Sequence, residues 1–412
     1  MSQPIMMWVA LVAGAVGTGA CFVGILVARR SLEAVFATLG LLSFVACTWG
    51  FGSITAAYDR LDAIVYAFAF GVAAIAGGYA LVSTLLGAIA LRERPVHVSE
   101  ELADDVGTAA VLLLGEVEPA EYSPRATAAA LEVLADEGLV SASIGVLPFL
   151  FMAQKTRYRA AGGRSPAQGQ LDALARRLAS VLRTLPVGDV AAAWCEGEHS
   201  LAARVVEAVS RGFRTVIVAE ALVADSLEVD HAKRAVDALR LHAVGVSVSY
   251  SGPLSRSGSV AQMIATRALA EADDVATTGI VLVGQGQPEE RALSNREFDE
   301  QETAFLNRVR VLLIENGIAD QNARIAWADW RAPEVTSSVR HLAALGCRRI
   351  VVVPACYPLD SITTRLDLQL AVRQARVDES VSVVTLPAWH DDPALVEALR
   401  AEVLDCITTR TA

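Results

Sequence analysis

Three long apolar runs open the chain, at about Ile5–Ala28, Leu32–Ala57 and Ala63–Leu91. Each exceeds the ~20 residues with which a helix crosses a hydrocarbon core, and a cleaved signal peptide would be shorter. The pattern predicts a three-helix transmembrane module over residues 1–94. From Val106 the chain changes to short Val/Ile/Leu/Ala runs that alternate with amphipathic stretches. Strands are predicted at Ala109–Gly115, Asp189–Cys195, Arg214–Ala219 and Val244–Tyr250. A second set follows at Thr278–Gly284, Ala323–Ala328, Arg349–Pro354 and Val381–Leu386. Helices are expected over Arg125–Glu137, Gln168–Arg183, Leu201–Arg211, Val260–Asp273, Asp299–Asn316, Val335–Leu345, Ser361–Val377 and Pro393–Thr408. Continuous apolar runs separated by helical stretches indicate parallel strands covered on both faces. The expected fold class is α/β, with two similar doubly wound halves over 95–274 and 275–412. In such sheets ligands bind beyond the carboxyl ends of the strands.

Charge adds an orientation. The short connections Arg29-Arg30-Ser31 and Tyr58–Asp62, with Arg92 and Arg94, place arginines on one side of the apolar runs and Asp59 and Asp62 on the other. The positive-inside rule then predicts a multi-pass protein of the cell (inner) membrane, its N-terminus outside and everything after Arg92 cytoplasmic. No charge lies mid-span to support an ion pathway, so the module reads as an anchor. Its glycines (Gly14, Gly17, Gly24, Gly71, Gly77, Gly78) suit close helix contact within one bundle or in a homodimer.

Composition narrows the partners. A net charge of −11 over 412 residues argues against nucleic acid, whose phosphates need basic surface. Arginine far outnumbers lysine (Lys155 and Lys233 alone), the bias of a GC-rich bacterial gene. The six cysteines form no CxxC pair. Cys347 and Cys356 are either ligands of a metal cluster or small buried hydrophobes, and the second reading is favoured.

One stretch is more specific. Lys155–Pro166, "KTRYRAAGGRSP", is similar to the RYxxIGGxSP signature of the ferrochelatases, and the resemblance extends from about Ala109 to the C-terminus. "AVLLLGEVEP" resembles that family's first strand and turn, and "VLVGQGQP" its FSAHSLP segment. "VVVPACYPLDSITTRLDL" resembles VxVxPxxFxxDxLETL, and "VTLPAWHDDPALVEAL" the family's closing segment. The resemblance implies two Rossmann-like, chelatase-type halves that hold a porphyrin and insert ferrous iron into it, in haem biosynthesis. Fe²⁺ is then a substrate; no tightly bound cofactor is expected, and no iron–sulfur cluster. The implied partners are a porphyrin (protoporphyrin IX or coproporphyrin III) and the lipid bilayer.

Carried over residue by residue, the family's histidine falls on Gln285 and its catalytic glutamate on Thr363, while Asp360 and Asp367 keep acids in kind. Glu116 brings an acid to the position overlooking the metal face. Two readings stay open. Either the acid–base and metal work has moved to Glu116 facing Asp367, with Gln285 orienting, or the pocket binds a tetrapyrrole without metallating it. An amide cannot titrate near neutral pH. Glu116 is alternatively an N-cap acid for the following helix, and Asp367 a solvated helix-face charge. For substrate binding the resemblance implies Arg157, Tyr158, Gly162, Gly163 and Ser165, with Arg157 suited to a propionate. Tyr250 ends the first half's last strand and either lines the cleft or packs in the core. His199 has a similar choice between cleft and surface.

Overall fold

The computed structural model describes residues 3–58, 60–90, 103–136, 138–139, 143 and 145–411. Asp59, Leu91, Arg92, Arg94 and Glu137, invoked above, lie outside the described residues. The chain divides into two compact units, Met1–Arg94 with Glu121–Gly163, and Pro95–Ala120 with Arg164–Ala412.

The first unit holds α1 (Gln3–Val27), α2 (Arg30–Ala57), α3 (Leu61–Ala90), α4 (Pro124–Asp136) and α5 (Leu147–Ala160). The first three are long and apolar enough to cross a membrane. α1 packs along both α2 and α3. A Cβ at Gly14 would sit 2.5 Å from the Cys47 backbone nitrogen, and one at Gly50 2.5 Å from that of Leu11. Glycine is what lets these backbones touch. Leu41, Leu42, Phe44 and Trp49 of α2 remain exposed.

Residues 121–163, adjacent in sequence to the first strand, cluster with these helices. The Tyr122 hydroxyl donates to Val27 O at 2.8 Å. Lys155, buried on α5, donates to Ile25 O and, at 3.4 Å, to Ala28 O, so it satisfies carbonyls at the end of α1. Its ammonium also pairs with Glu33 of α2 at 3.0 Å, and Arg159 pairs with the same carboxylate.

The second unit carries eight strands: β1 (Ala109–Gly115), β2 (Val187–Trp194), β3 (Thr215–Glu220), β4 (Ser247–Tyr250), β5 (Thr278–Gly284), β6 (Ala323–Trp327), β7 (Arg349–Val353) and β8 (Ser382–Thr385). They form two sheets, ordered β2-β1-β3-β4 and β6-β5-β7-β8, with every pairing parallel. The same order twice is the duplication expected from the sequence. Its helices are α6 (Ala167–Leu182), α7 (Leu201–Ser210), α8 (Leu227–Asp237), α9 (Gly258–Ala270), α10 (Glu289–Ser294), α11 (Arg296–Glu315), α12 (Val335–Ala344), α13 (Leu368–Ala375) and α14 (Pro393–Thr411).

Side-chain alternation places the core. Ala109, Val111 and Leu113 of β1 join Ile280 and Leu282 of β5 in one shared cluster with α6, α9, α11 and α14. Ala110, Leu112 and Leu114 face a separate cluster under α7 and α8, and Val281 and Val283 face another under α12 and α13. Both sheets are covered on both faces, which is why their strands read as unbroken apolar runs. The two halves share one central core.

Several expected elements differ. Val244–Tyr250 shortens because Leu241–Val244 turns as a 3₁₀ segment ended by Gly245 at φ 73°. Ser361–Val377 is broken into a π-helical turn, Thr363–Asp367, followed by α13. The pattern predicts no helix at α5, α8 or α10: "LPFLFM" is apolar without helical alternation, "LEVDHAKR" is charge-dense, and "EERALS" is a short run after a turn.

Candidate active site

In each sheet the central first strand lies between its neighbours at the point where strand order reverses, where open parallel sheets leave a crevice. Glu116 is the first residue beyond β1, and Gln285 the first beyond β5. The Gln285 side chain lies close enough to bear on the Glu116 carboxyl, so equivalent positions of the two halves meet. Glu116 Oε1 also accepts from the Ser226 hydroxyl. Ser226 is the N-cap of α8, its Oγ accepting the Val229 N–H at 3.2 Å. One serine therefore ends the helix and orients the acid. The helix after Glu116 starts only at Pro124, so Glu116 does not cap it.

Burial, then the nearby carboxylate of Glu228, pushes the half-buried Glu116 up to about 7 from 4.5; the Ser226 and Gln285 hydrogen bonds oppose this and Glu302 adds to it. The carboxylates acting most strongly on Glu116 are thus Glu228, on the first turn of α8, and Glu302 on α11. Glu228 is itself held by Arg291 at 2.9 Å.

Glu302 is the residue that shapes the Gln285 turn. Its buried carboxylate accepts the backbone N–H of Gln285 at 2.9 Å and of Gly286 at 3.1 Å. The Cys356 thiol hydrogen-bonds it as well, and burial pushes both groups upward. Gly286 lies at φ 77°, and a Cβ there would stand 2.5 Å from Asp329 O. Glycine is required by both conformation and space. The sequence carries a signal for Glu302: it sits in register with Phe298, Phe305, Leu306 and Val309 on the buried face of α11.

A second acidic cluster lies at the end of β3. Glu220 is fully buried, 2.9 Å from Lys233 Nζ, which also pairs with Asp225 at 2.7 Å. Burial, then Asp225, pushes Glu220 up to about 7 from 4.5. Lys233 Nζ stands 5.4 Å from the Tyr250 ring centroid, and Tyr250 packs against the core under α7 and α8. Of its two readings, the core one describes these contacts.

A carboxyl whose folded pKa is raised favours folding below its unfolded value and loses that contribution as pH rises through the folded value. For Glu220 the window runs from about 4.5 to about 7. Glu220→Gln is expected to be more stable than the parent at pH 8, by about 1–3 kcal/mol, and indistinguishable in that comparison near pH 4. Thermal unfolding of the full chain at the two pH values checks this.

Thr363 and Asp367 are half-buried at the two ends of the π-helical turn. Its entry is fixed from both halves: Glu118 accepts the Ile362 N–H at 2.6 Å. Buried Asp360 accepts from Gln170 at 3.1 Å and from Ala388 N at 3.0 Å. Asp360 is therefore a structural acid. The turn after β1 reaches the second half twice, through Glu116 to Gln285 and through Glu118 to Ile362.

The motif residues divide between the two units. Arg157, Tyr158, Gly162 and Gly163 belong to the first and Ser165 to the second. Arg157 is half-buried and donates to Gln154 at 3.1 Å. Tyr158 is buried edge-on against Tyr122, centroids 6.2 Å apart. Gly162 and Gly163, at φ 88° and 85°, end α5, with Gly163 N donating to Tyr158 O at 2.7 Å. Ser165 Oγ accepts the Ala167 N–H at 3.3 Å and opens α6. Motif glycines and serine thus have local structural work. The His199 ring packs edge-on to Trp194 at 4.7 Å. Cys347 and Cys356 lie in different core clusters. Among the described residues no group of three or more His, Cys, Asp and Glu side chains is arranged to hold a metal ion.

No protein-family model and no curated protein matches the chain. Among solved structures it is similar to SirB from Bacillus subtilis with Fe³⁺, at 15% identity and TM-score 0.48, over 72% of this chain and 95% of that one. Sirohydrochlorin chelatase SirB from Bacillus subtilis subspecies spizizenii in complex with cobalt matches at 12% identity and TM-score 0.45, over 72% and 94%. A multi-domain protein from Deinococcus radiodurans, described as structurally similar to chelatases with two additional domains, matches at 16% identity and TM-score 0.42. The match covers 72% of this chain and about half, 54%, of that protein.

Proposed function

We propose that the chain is a membrane-anchored chelatase that inserts ferrous iron into a porphyrin, protoporphyrin IX or coproporphyrin III. The observation that carries the reading is the pairing of Glu116 with Gln285 at the ends of equivalent central strands. Insertion requires the two pyrrole protons to leave. A carboxyl poised near 7 takes them one at a time at cellular pH, passing the first to water before it accepts the second. Gln285 offers an amide that accepts a pyrrole N–H or steadies the metal's water, and it keeps the Glu116 carboxylate oriented. Arg157, by the motif resemblance, receives a propionate carboxylate. α1–α3 span the bilayer, into which amphipathic porphyrins partition.

Anaerobic Fe²⁺ or Zn²⁺ insertion by the full chain in lipid nanodiscs, followed by absorbance, tests this. Because the base must be deprotonated, the rate is expected to rise as pH increases through about 7 and then level off. Arg157→Ala is expected to weaken porphyrin binding at least severalfold, roughly 1–2 kcal/mol, read by porphyrin fluorescence.

The second reading is a catalytically silent tetrapyrrole carrier, scaffold or sensor. It is favoured by the amide at Gln285 and the hydroxyl at Thr363, where the ferrochelatase pattern has histidine and glutamate. Tight binding with no turnover at any pH selects it.

A further inference from the structure

One side of α5 is held by the apolar helices through Lys155, with Tyr158 packed on Tyr122, whose hydroxyl reaches Val27 O, which leaves the other side to be explained. Val146, Phe149 and Met152 are 46%, 44% and 37% exposed. At a spacing of three they form one stripe. From Leu139 to Ala153 the sequence carries no charged residue. The stripe then turns polar through Thr156 to Arg159, which pairs with Glu33 beside Arg29 and Arg30.

The depth of this segment follows from its contacts. Gly145 O accepts from the Tyr79 hydroxyl at 2.7 Å, and the Tyr79 ring lies 6.4 Å from that of Phe22. At 1.5 Å per residue, Tyr79 is about 16 Å from the end of α3 at Ala90, and Phe22 about 8 Å from the end of α1 at Val27. The start of α5 therefore meets α3 well inside the apolar stretch, whereas its end meets α1 and α2 at their arginine-marked boundary. Apolar and polar positions along α5 follow the same gradient.

We propose that residues 145–152 are a second lipid contact, with Val146, Phe149 and Met152 set among the acyl chains of the leaflet at the Arg29–Arg30 end of α1. The inference rests on the reading that α1–α3 span a bilayer, and on nothing about the chemistry of the other unit. A helix with an apolar stripe and a basic end beside a spanning bundle meets the requirements for lying in the acyl–headgroup boundary.

The test places an environment-sensitive fluorescent amino acid at Phe149 of the full chain in nanodiscs. The discs are built from phosphatidylcholine with or without bromine on the acyl chains. The same probe at Phe68, on α3, and at Leu293, exposed on α10, gives the lipid and water references. Emission at position 149 is expected to fall about twofold or more with brominated lipid, as at 68, while 293 is unchanged. Quenching at 68 without quenching at 149 overturns the proposal and leaves the spans intact. No quenching at either site overturns both. Emission at 149 that tracks protein-to-lipid ratio instead of bromine identifies a second copy as the occupant and also overturns it. A probe at Met152 repeats the test should the first variant fail to fold.

Discussion

Glu116→Gln is expected to lower metal insertion about 100-fold or more, while porphyrin affinity stays within about threefold. The separation follows from the site. Gln preserves volume and keeps a partner for Ser226 and Gln285, which the acid engages on one side. It cannot take a proton, however, and the parent acid is the group lifted to about 7 by burial and by Glu228. Single-turnover absorbance with preloaded porphyrin reads the chemistry apart from binding. Turnover unchanged in this variant means that the protons leave by another group, and Asp367→Asn is then the informative comparison.

The second large effect is on stability. Glu33→Ala is expected to destabilise the first unit by about 2–4 kcal/mol, since it strips a buried ammonium of its counter-charge. Lys155 is 5% exposed and Glu33 24%. The carbonyls of Ile25 and Ala28 still accept from Lys155 but carry no charge to offset its own. Lys155→Met leaves Glu33 with Arg159 and puts an apolar chain of similar length in the site, so its cost is expected to be about 1 kcal/mol or less. Thermal unfolding of the full chain in nanodiscs, with hydrogen exchange over 147–163, separates the two. Equal losses in both variants contradict the argument.

These two sites also show what the sequence made legible. β1 and β5 are found where expected, residue for residue, because unbroken apolar runs end sharply at Gly115 and Gly284. Glu116 and Gln285 stand out for the same reason, being the first polar side chains past those ends. Glu302 shares the buried face of α11 with Phe298 and Phe305, but periodicity does not say which groups an acid there meets, and it is the backbone amides of Gln285 and Gly286 that it accepts. Lys155 and Arg159 flank the motif arginine in sequence, whereas their contacts run to α1 and α2 over 120 residues away. Asp367 was matched to a motif position, but a π-helical turn sets its side chain by a geometry that no spacing rule announces.

Within the first unit the three apolar helices consequently do more than supply apolar length. Ile25, Val27, Ala28 and Glu33 supply acceptors to Tyr122, Lys155 and Arg159, on the segment that carries the most specific motif. The helix bearing Arg157 is thereby fixed against α1 and α2, which is why each test above uses the full chain.

Ligand recognition is the point on which the rest depends. Titrating the full chain in nanodiscs with coproporphyrin III and protoporphyrin IX, and following porphyrin emission, measures it without any assumption about turnover. Saturable binding of one of them, weakened severalfold by Arg157→Ala and retained by Glu116→Gln, is the expected result. Emission identical to that with empty nanodiscs, for both porphyrins, contradicts the chelatase reading and the silent-carrier reading together.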